Sequence, residues 1–142
     1  MNDAYIVRDC RPEDLPRFIE LLKVCGLFYA PVDSEATLRK KLAYDPISLL
    51  VLESATKVIG TVLTTYDPWA SFIWHLAIDP AYQGRGLGNL LVDEAERRLR
   101  ARGTTSVNGY VLPSNRNSLS FFEKRGFEQD LFRVIPIGKM LS

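Results

Sequence analysis

Histidine and cysteine are scarce in this chain: one histidine and two cysteines in 142 residues. Cys10 and Cys25 are too few and too loosely spaced for a disulfide framework, a zinc site or a CxxC redox pair, so they read as intracellular, structural thiols. No apolar run approaches the ~20 residues that cross a bilayer, and "MNDAYIVRDC" lacks the apolar core of a secretory signal. A cytoplasmic protein without a membrane partner is expected. Neither sign of charge dominates either, with 18 Lys and Arg against 17 Asp and Glu. The tempting cluster Arg97, Arg98, Arg100 and Arg102 is interleaved with Asp93, Glu94 and Glu96, which predicts a salt-bridged solvent face and no nucleic-acid partner. Repeats, linkers and low-complexity tracts are absent, so residues 1–142 are expected to form a single domain.

The residues that are present alternate between strand and helix signals. "AYIVRDC" is rich in β-formers. "RPEDLPRFIELLKVCGL" follows with Pro12 in a first turn, Glu13 and Asp14 near it, and apolar spacing through Leu15, Ile19 and Leu22, which predicts a helix. "DSEATLRKKLAYDP" is a short second helix, with Asp33 or Ser34 as its cap and Pro46 as its stop. "ISLLVLE", "KVIGTVLTTYD" and "SFIWHLAID" predict an antiparallel meander. From Leu87 onward Leu90, Leu91, Ala95 and Leu99 mark one helical face, opposed by the pairs Asp93/Arg97, Glu94/Arg98 and Glu96/Arg100, with Gly103 as the stop. "TTSVNGYVL" is expected to be a fifth strand, "PSNRNSLSFFEKRG" a helix closed by Gly126, and "FEQDLFRVIPIGKML" one or two last strands.

Between the third strand of the meander and the long helix stands "DPAYQGRGLG". Glycines at a helix start leave backbone N–H groups open at the positive end of the helix dipole, which suits an anion such as phosphate. The dinucleotide fingerprint GxGxxG fails, because Asn89 stands three beyond Gly86, and no Gly-Lys-Ser/Thr follows for a P-loop. What fits is Gln83 followed by Gly86 and Gly88. In this the chain resembles the GCN5-related N-acetyltransferase (GNAT) family, whose Gln/Arg-x-x-Gly-x-Gly/Ala loop wraps the pyrophosphate of coenzyme A. "HLAIDPAY" resembles that family's central strand, and "SNRNSLSFFEKRGFE" its asparagine-containing C-terminal motif ending in Gly-Phe. Among subgroups the chain looks most like the small bacterial acetyltransferases of the YpeA type.

The resemblance implies an α+β domain with a mixed, mostly antiparallel central sheet, splayed central strands and flanking helices. It implies an N-acetyltransferase that moves an acetyl group from acetyl-CoA to a primary amine, small or on a protein, without a metal. By the same resemblance the pantetheine arm pairs with the strand at Leu76, Ala77 and Ile78. Gln83, Gly84, Arg85, Gly86, Leu87 and Gly88 hold the pyrophosphate, and Asn115 touches the cofactor arm. A non-catalytic acyl-CoA-binding sensor is the alternative.

Acyl transfer needs a base, because a free alkyl amine is protonated below pH ~10, and a donor for the thioester oxyanion and departing sulfur. Here the sequence departs from the family. Phe122 stands where many members carry a tyrosine as general acid, and Tyr110 where some carry a glutamate as general base. Two catalytic candidates are left. His75 shares a strand face with Ile73 and Ala77 on simple alternation and is either a base beside the thioester or a satisfied core histidine. Tyr110 is either a catalytic hydroxyl or a packed β-former. Tyr66 and Asp67 line the amine site or simply form a turn. Leu27, Phe28, Tyr29 and Trp69 make an acceptor pocket, a homodimer patch, or ordinary core contacts.

Overall fold

The structure, a computed structural model, describes residues 4–129, 135 and 137–141. Backbone contacts divide the chain into two compact units, Met1–Gly109 and Tyr110–Ser142. The first holds strands β1 (Tyr5–Asp9), β2 (Leu49–Ser54), β3 (Lys57–Thr65), β4 (Ser71–Ile78) and β5 (Val107–Asn108). It also holds helices α1 (Leu15–Val24), α2 (Glu35–Tyr44) and α3 (Leu87–Ala101), with 3-10 turns at Pro12–Asp14 and Pro80–Tyr82. The second holds α4 (Arg116–Lys124).

One sheet runs in the order β1-β2-β3-β4-β5. The first four strands are antiparallel neighbours, and β5 joins β4 in parallel. The expected α+β class, with a mixed and mostly antiparallel sheet, is what forms. The β2–β3 link is a two-residue turn in which Ala55 (φ 47°) and Thr56 (φ 66°) are both left-handed, the conformation that matches the right-handed twist of a hairpin.

Helices cover both faces. On one, Leu15, Phe18, Leu21 and Leu22 of α1 and Leu38 and Leu42 of α2 pack against Leu49, Val51, Val58, Leu63 and Ala77. On the other, α3 buries Leu87, Leu91, Val92, Ala95 and Leu99. Gly60 makes that approach close: a Cβ there would lie 2.9 Å from Ile78 Cδ1 and 3.0 Å from Leu91 Cδ1. Cover on both sides explains why "LLVL" of β2 is apolar without alternation.

Where the structure differs from expectation, local chemistry accounts for it. Of the two expected cap candidates it is Ser34 that caps α2, its Oγ accepting the Thr37 N–H at 3.0 Å. The fifth strand shrinks from the expected 104–112 to Val107–Asn108. Asn-Gly is a poor strand pair, the Asn108 side chain bonds the Ser71 carbonyl at 3.1 Å, and a Cβ at Gly109 would sit 3.2 Å from the Ile73 carbonyl. On α3, Glu94 pairs with Arg98 as expected but also with Arg97, one residue earlier, and Arg98 crosses to Asp9. Of the expected last strands, residues 130–134 and 136 lie outside the described residues, and the described ones, 127–129, 135 and 137–141, form no strand.

Candidate active site

The β4–β5 ladder holds only two pairs, Ser71↔Val107 and Phe72↔Asn108. Beyond them β4 runs on to Ile78 with ladder pairs, among the described residues, only to β3. Unpaired strand backbone of this kind suits an amide-bearing guest. In the middle of that stretch the strand is irregular. Trp74 pairs with Leu63 and Ala77 with Thr61, so two residues of β4, His75 and Leu76, oppose Val62 alone. This is a β-bulge, and His75 carries it at φ 55°. Left-handed backbone in a non-glycine residue inside a strand costs on the order of 1–3 kcal/mol and persists only where its surroundings hold it. Here the holding group is the buried Thr61 hydroxyl, which donates to the His75 carbonyl at 2.9 Å.

The bulge overturns the expectation that Ile73, His75 and Ala77 share a face. Trp74 and Ala77 both join the core under α1 and α2, which puts Ile73 on the opposite side of the strand. The His75 ring is part-buried. Its Nε2 lies 2.9 Å from the carboxylate of Asp33, which is 3% exposed. Both Asp33 oxygens lie 2.9 Å from Nε2, one of them also accepts the Tyr29 N–H at 2.9 Å, and the Asp33 N–H donates to the Tyr29 carbonyl at 2.7 Å. His75 Nδ1 has no partner among the described residues.

At the end of β4, Ile78 and Asp79 tie the glycine turn down. The Ile78 carbonyl accepts from Gln83 Nε2 at 2.9 Å and from the Cys25 thiol at 3.3 Å. Gln83 thus fixes the turn's shape from within. Asp79 accepts Arg17 Nη2 at 2.7 Å and caps the following 3-10 turn through the Ala81 N–H at 2.9 Å. That backbone bond, then the Arg17 guanidinium, holds its carboxyl below the usual range. Burial pushes the Cys10 thiol up to about 12 and raises Cys25 as well, so both remain protonated and structural.

Gly84 (φ 80°) and Gly86 (φ 73°) are left-handed, and Gly86 is the N-cap of α3 without any side-chain cap. Gly88 lies in the first turn of α3 and is not left-handed. Among the described residues, the backbone N–H groups of Gly84, Arg85, Gly86, Leu87 and Gly88 find no acceptor. The Arg85 guanidinium, over the Tyr82 ring at 5.1 Å, adds a positive charge beside them. A row of open donors at a helix start fits a pyrophosphate, whose oxygens would accept from several of them at once.

The other candidates separate. Tyr110, 58% exposed, lies outside any strand and begins the second unit. Asn115 caps α4, its Oδ1 accepting the Ser118 N–H at 3.1 Å. Phe122 meets Phe121 and Phe127 edge-on, each at 5.1 Å, a packing role. Tyr66 and Asp67 serve a turn, bonding the Arg102 carbonyl and the Trp69 N–H. Leu27 and Phe28 pack against the core, whereas Trp69 is 92% and Tyr29 54% exposed. Asp33 entered the sequence reading only as a cap candidate. The signal for more was that "DS" offers two caps for one helix, leaving an acid with no assigned work.

The sequence pattern of the Acetyltransferase (GNAT) family matches residues 15–127. The chain is 35% identical over 136 residues to Acetyltransferase SG1711 of Sodalis glossinidius, covering 95% of this chain and 94% of that protein. Its fold is similar to that of Ard1 from Thermoplasma volcanium (TM-score 0.80, 23% identity, 88% of this chain and 83% of that one). It is also similar to the PaiA N-acetyltransferase of Thermoplasma acidophilum, solved in complex with coenzyme A (TM-score 0.77, 20% identity, 88% and 90% covered). The chain belongs to the GNAT family and is an acyltransferase. Enzymes of this family draw the acetyl group from acetyl-CoA and pass it to an amine. Among the described residues no cluster of metal ligands occurs, and no helix is long and apolar enough to cross a membrane.

Proposed function

We propose that this protein is a cytoplasmic N-acetyltransferase acting on a primary amine, of a small molecule or a protein, by direct attack on the thioester of acetyl-CoA. The observation that carries the reading is the succession of three features from β4 into the turn before α3. These are the stretch of β4 that, among the described residues, has ladder pairs only to β3, the bulge at His75, and the open N–H row from Gly84 to Gly88. In this reading Leu76, Ala77 and Ile78 offer backbone to the pantetheine arm. Gly84, Arg85, Gly86, Leu87 and Gly88 hold the pyrophosphate, Gln83 shapes the turn, and Asn115 adds a contact to the arm.

The attacking amine nitrogen forms a bond to the thioester carbon, and the carbonyl oxygen carries the developing negative charge. His75 accepts the proton that nitrogen loses. The C–S bond then breaks with its electron pair going to sulfur, and the Tyr110 hydroxyl or solvent supplies the sulfur's proton. A thiol with an ordinary pKa near ~8.5 leaves readily at neutral pH, so Phe122 in place of a tyrosine is compatible with turnover. Residues 1–142 act as one transferase domain in this reading, since the family match runs from 15 to 127 and spans both compact units. Exposed Trp69 and Tyr29 suit an acceptor or a second protomer.

The test is a panel of amines, amino acids and peptides incubated with acetyl-CoA, with released CoA thiol as the readout and mass spectrometry of the product. Acetylation of at least one amine above the rate of thioester hydrolysis is expected. Coenzyme A binding without transfer to any of them would return the reading to a sensor domain.

A further inference from the structure

We infer that Asp33 is the positioning residue of the transfer reaction, holding His75 in the tautomer protonated on Nε2 so that Nδ1 is the free base. The inference rests on the reading of His75 as the base and adds what fixes its proton. A neutral imidazole carries one N–H, and the bond made by one ring nitrogen decides which nitrogen that is. A carboxylate only accepts. With Nε2 at 2.9 Å from the Asp33 carboxylate, Nε2 must donate, which leaves the lone pair on Nδ1. Among the described residues nothing else bonds to Nδ1.

The carboxylate itself is held in place. It is 3% exposed, one oxygen takes the Tyr29 N–H at 2.9 Å, and the surrounding turn is closed by the bond from the Asp33 N–H to the Tyr29 carbonyl at 2.7 Å. On the other side, Thr61 fixes the His75 carbonyl and with it the bulge. The ring is therefore clamped from the α1–α2 connection and from β3 together. During transfer Nδ1 takes the amine proton as the C–N bond forms, both ring nitrogens then donate, and Asp33 bears the opposite charge beside the resulting imidazolium without being protonated.

Asp33→Asn separates orientation from folding. Its carbonyl oxygen still accepts from Tyr29, so the turn survives. Its NH2 replaces one of the two oxygens that lie 2.9 Å from Nε2, which favours Nε2 as an acceptor and draws the proton to Nδ1, the wrong nitrogen for a base. Because the chain has a single histidine, its two-bond 1H–15N spectrum reports that ring alone. Recorded above pH ~8.5, about two units beyond an ordinary histidine, the wild type should show the Nε2–H tautomer and Asp33→Asn the Nδ1–H tautomer. With an amine that the enzyme acetylates, Asp33→Asn should lower kcat by ~100-fold or more at unchanged KM for acetyl-CoA. His75→Gln should do likewise, and the double variant should be no worse than His75→Gln alone. A wild-type ring protonated on Nδ1 would overturn the inference, and so would full kcat in Asp33→Asn where His75→Gln is impaired. The tautomer measurement needs no turnover. Absence of acetylation with an Nε2–H ring therefore counts against the proposed reaction and not against the orienting role of Asp33.

Discussion

Gly86→Val is the sharpest probe of the cofactor loop, because the structure separates its cost to folding from its cost to binding. Gly86 sits at φ 73°, where an L-residue pays ~1–2 kcal/mol and a β-branched one somewhat more. Sterically the site is open: a Cβ there would meet only Asn89 Nδ2, at 3.8 Å. The loss of stability is therefore the backbone term alone, on the order of 2 kcal/mol, which lowers Tm by several degrees for a chain of this size. Binding suffers from a different cause. The isopropyl group lies among the N–H donors of residues 84 to 88, keeping an anion from at least one or two of them. At ~1.5–3 kcal/mol for each lost bond to a charged acceptor, the affinity for coenzyme A should fall ~10- to 100-fold or further. Gly88→Ala provides the contrast: it is helical, so alanine should keep or raise the melting temperature. Isothermal calorimetry with coenzyme A, alongside thermal unfolding, reads both effects. A folded Gly86→Val protein that binds coenzyme A with wild-type affinity would refute the assignment of this loop to the pyrophosphate.

Further outcomes are expected elsewhere. Asn115→Asp keeps the α4 cap but removes the amide donor, so stability should hold while coenzyme A affinity falls several-fold in calorimetry, whereas Asn115→Ala should also cost ~1 kcal/mol of capping. Tyr110→Phe should lower kcat ~10- to 100-fold with little change in Tm, since the exposed ring is kept. Glu94 is held down to about 2 by hydrogen bonds from Arg97 and then Arg98. Its folded value lies below its unfolded one, so its contribution is present above pH ~4.5 and is lost as pH falls from there toward 2. Glu94→Gln should therefore cost about 1 kcal/mol or less in urea unfolding at pH 7, and the difference from wild type should shrink below pH ~4.5.

Most of the fold was legible because its signals are local or periodic. The apolar stripes of α1 and α3, the Ser34 cap and the glycine turn each follow from the residues beside them. What escaped depends on pairing across the sheet. Nothing in "SFIWHLAI" announces an extra residue, because a bulge is set by how β4 registers on β3, with Thr61 waiting for a carbonyl that only the irregular strand presents. Strict alternation therefore gave His75 the wrong neighbours. The fifth strand was overextended for a related reason. Its β-formers Tyr110 and Val111 were weighed without the cost of continuing a ladder through Asn108 and Gly109.

The same dependence explains why Asp33 was the residue most easily overlooked. A helix-start acid is ordinarily a solvated cap, and burial to 3% would be costly for it without partners. The partners lie elsewhere in the chain: a backbone N–H four residues back at Tyr29, and an imidazole in β4 that meets Asp33 only once the sheet has formed. Each component is unfavourable alone: the Thr61 hydroxyl holds the left-handed histidine backbone, while Tyr29 and the His75 ring satisfy the buried carboxylate. Stability by itself offers a simpler solution at each position, glycine in the bulge and an apolar side chain at 33. Carrying the strained and the buried polar group together is what the orienting role proposed for Asp33 requires.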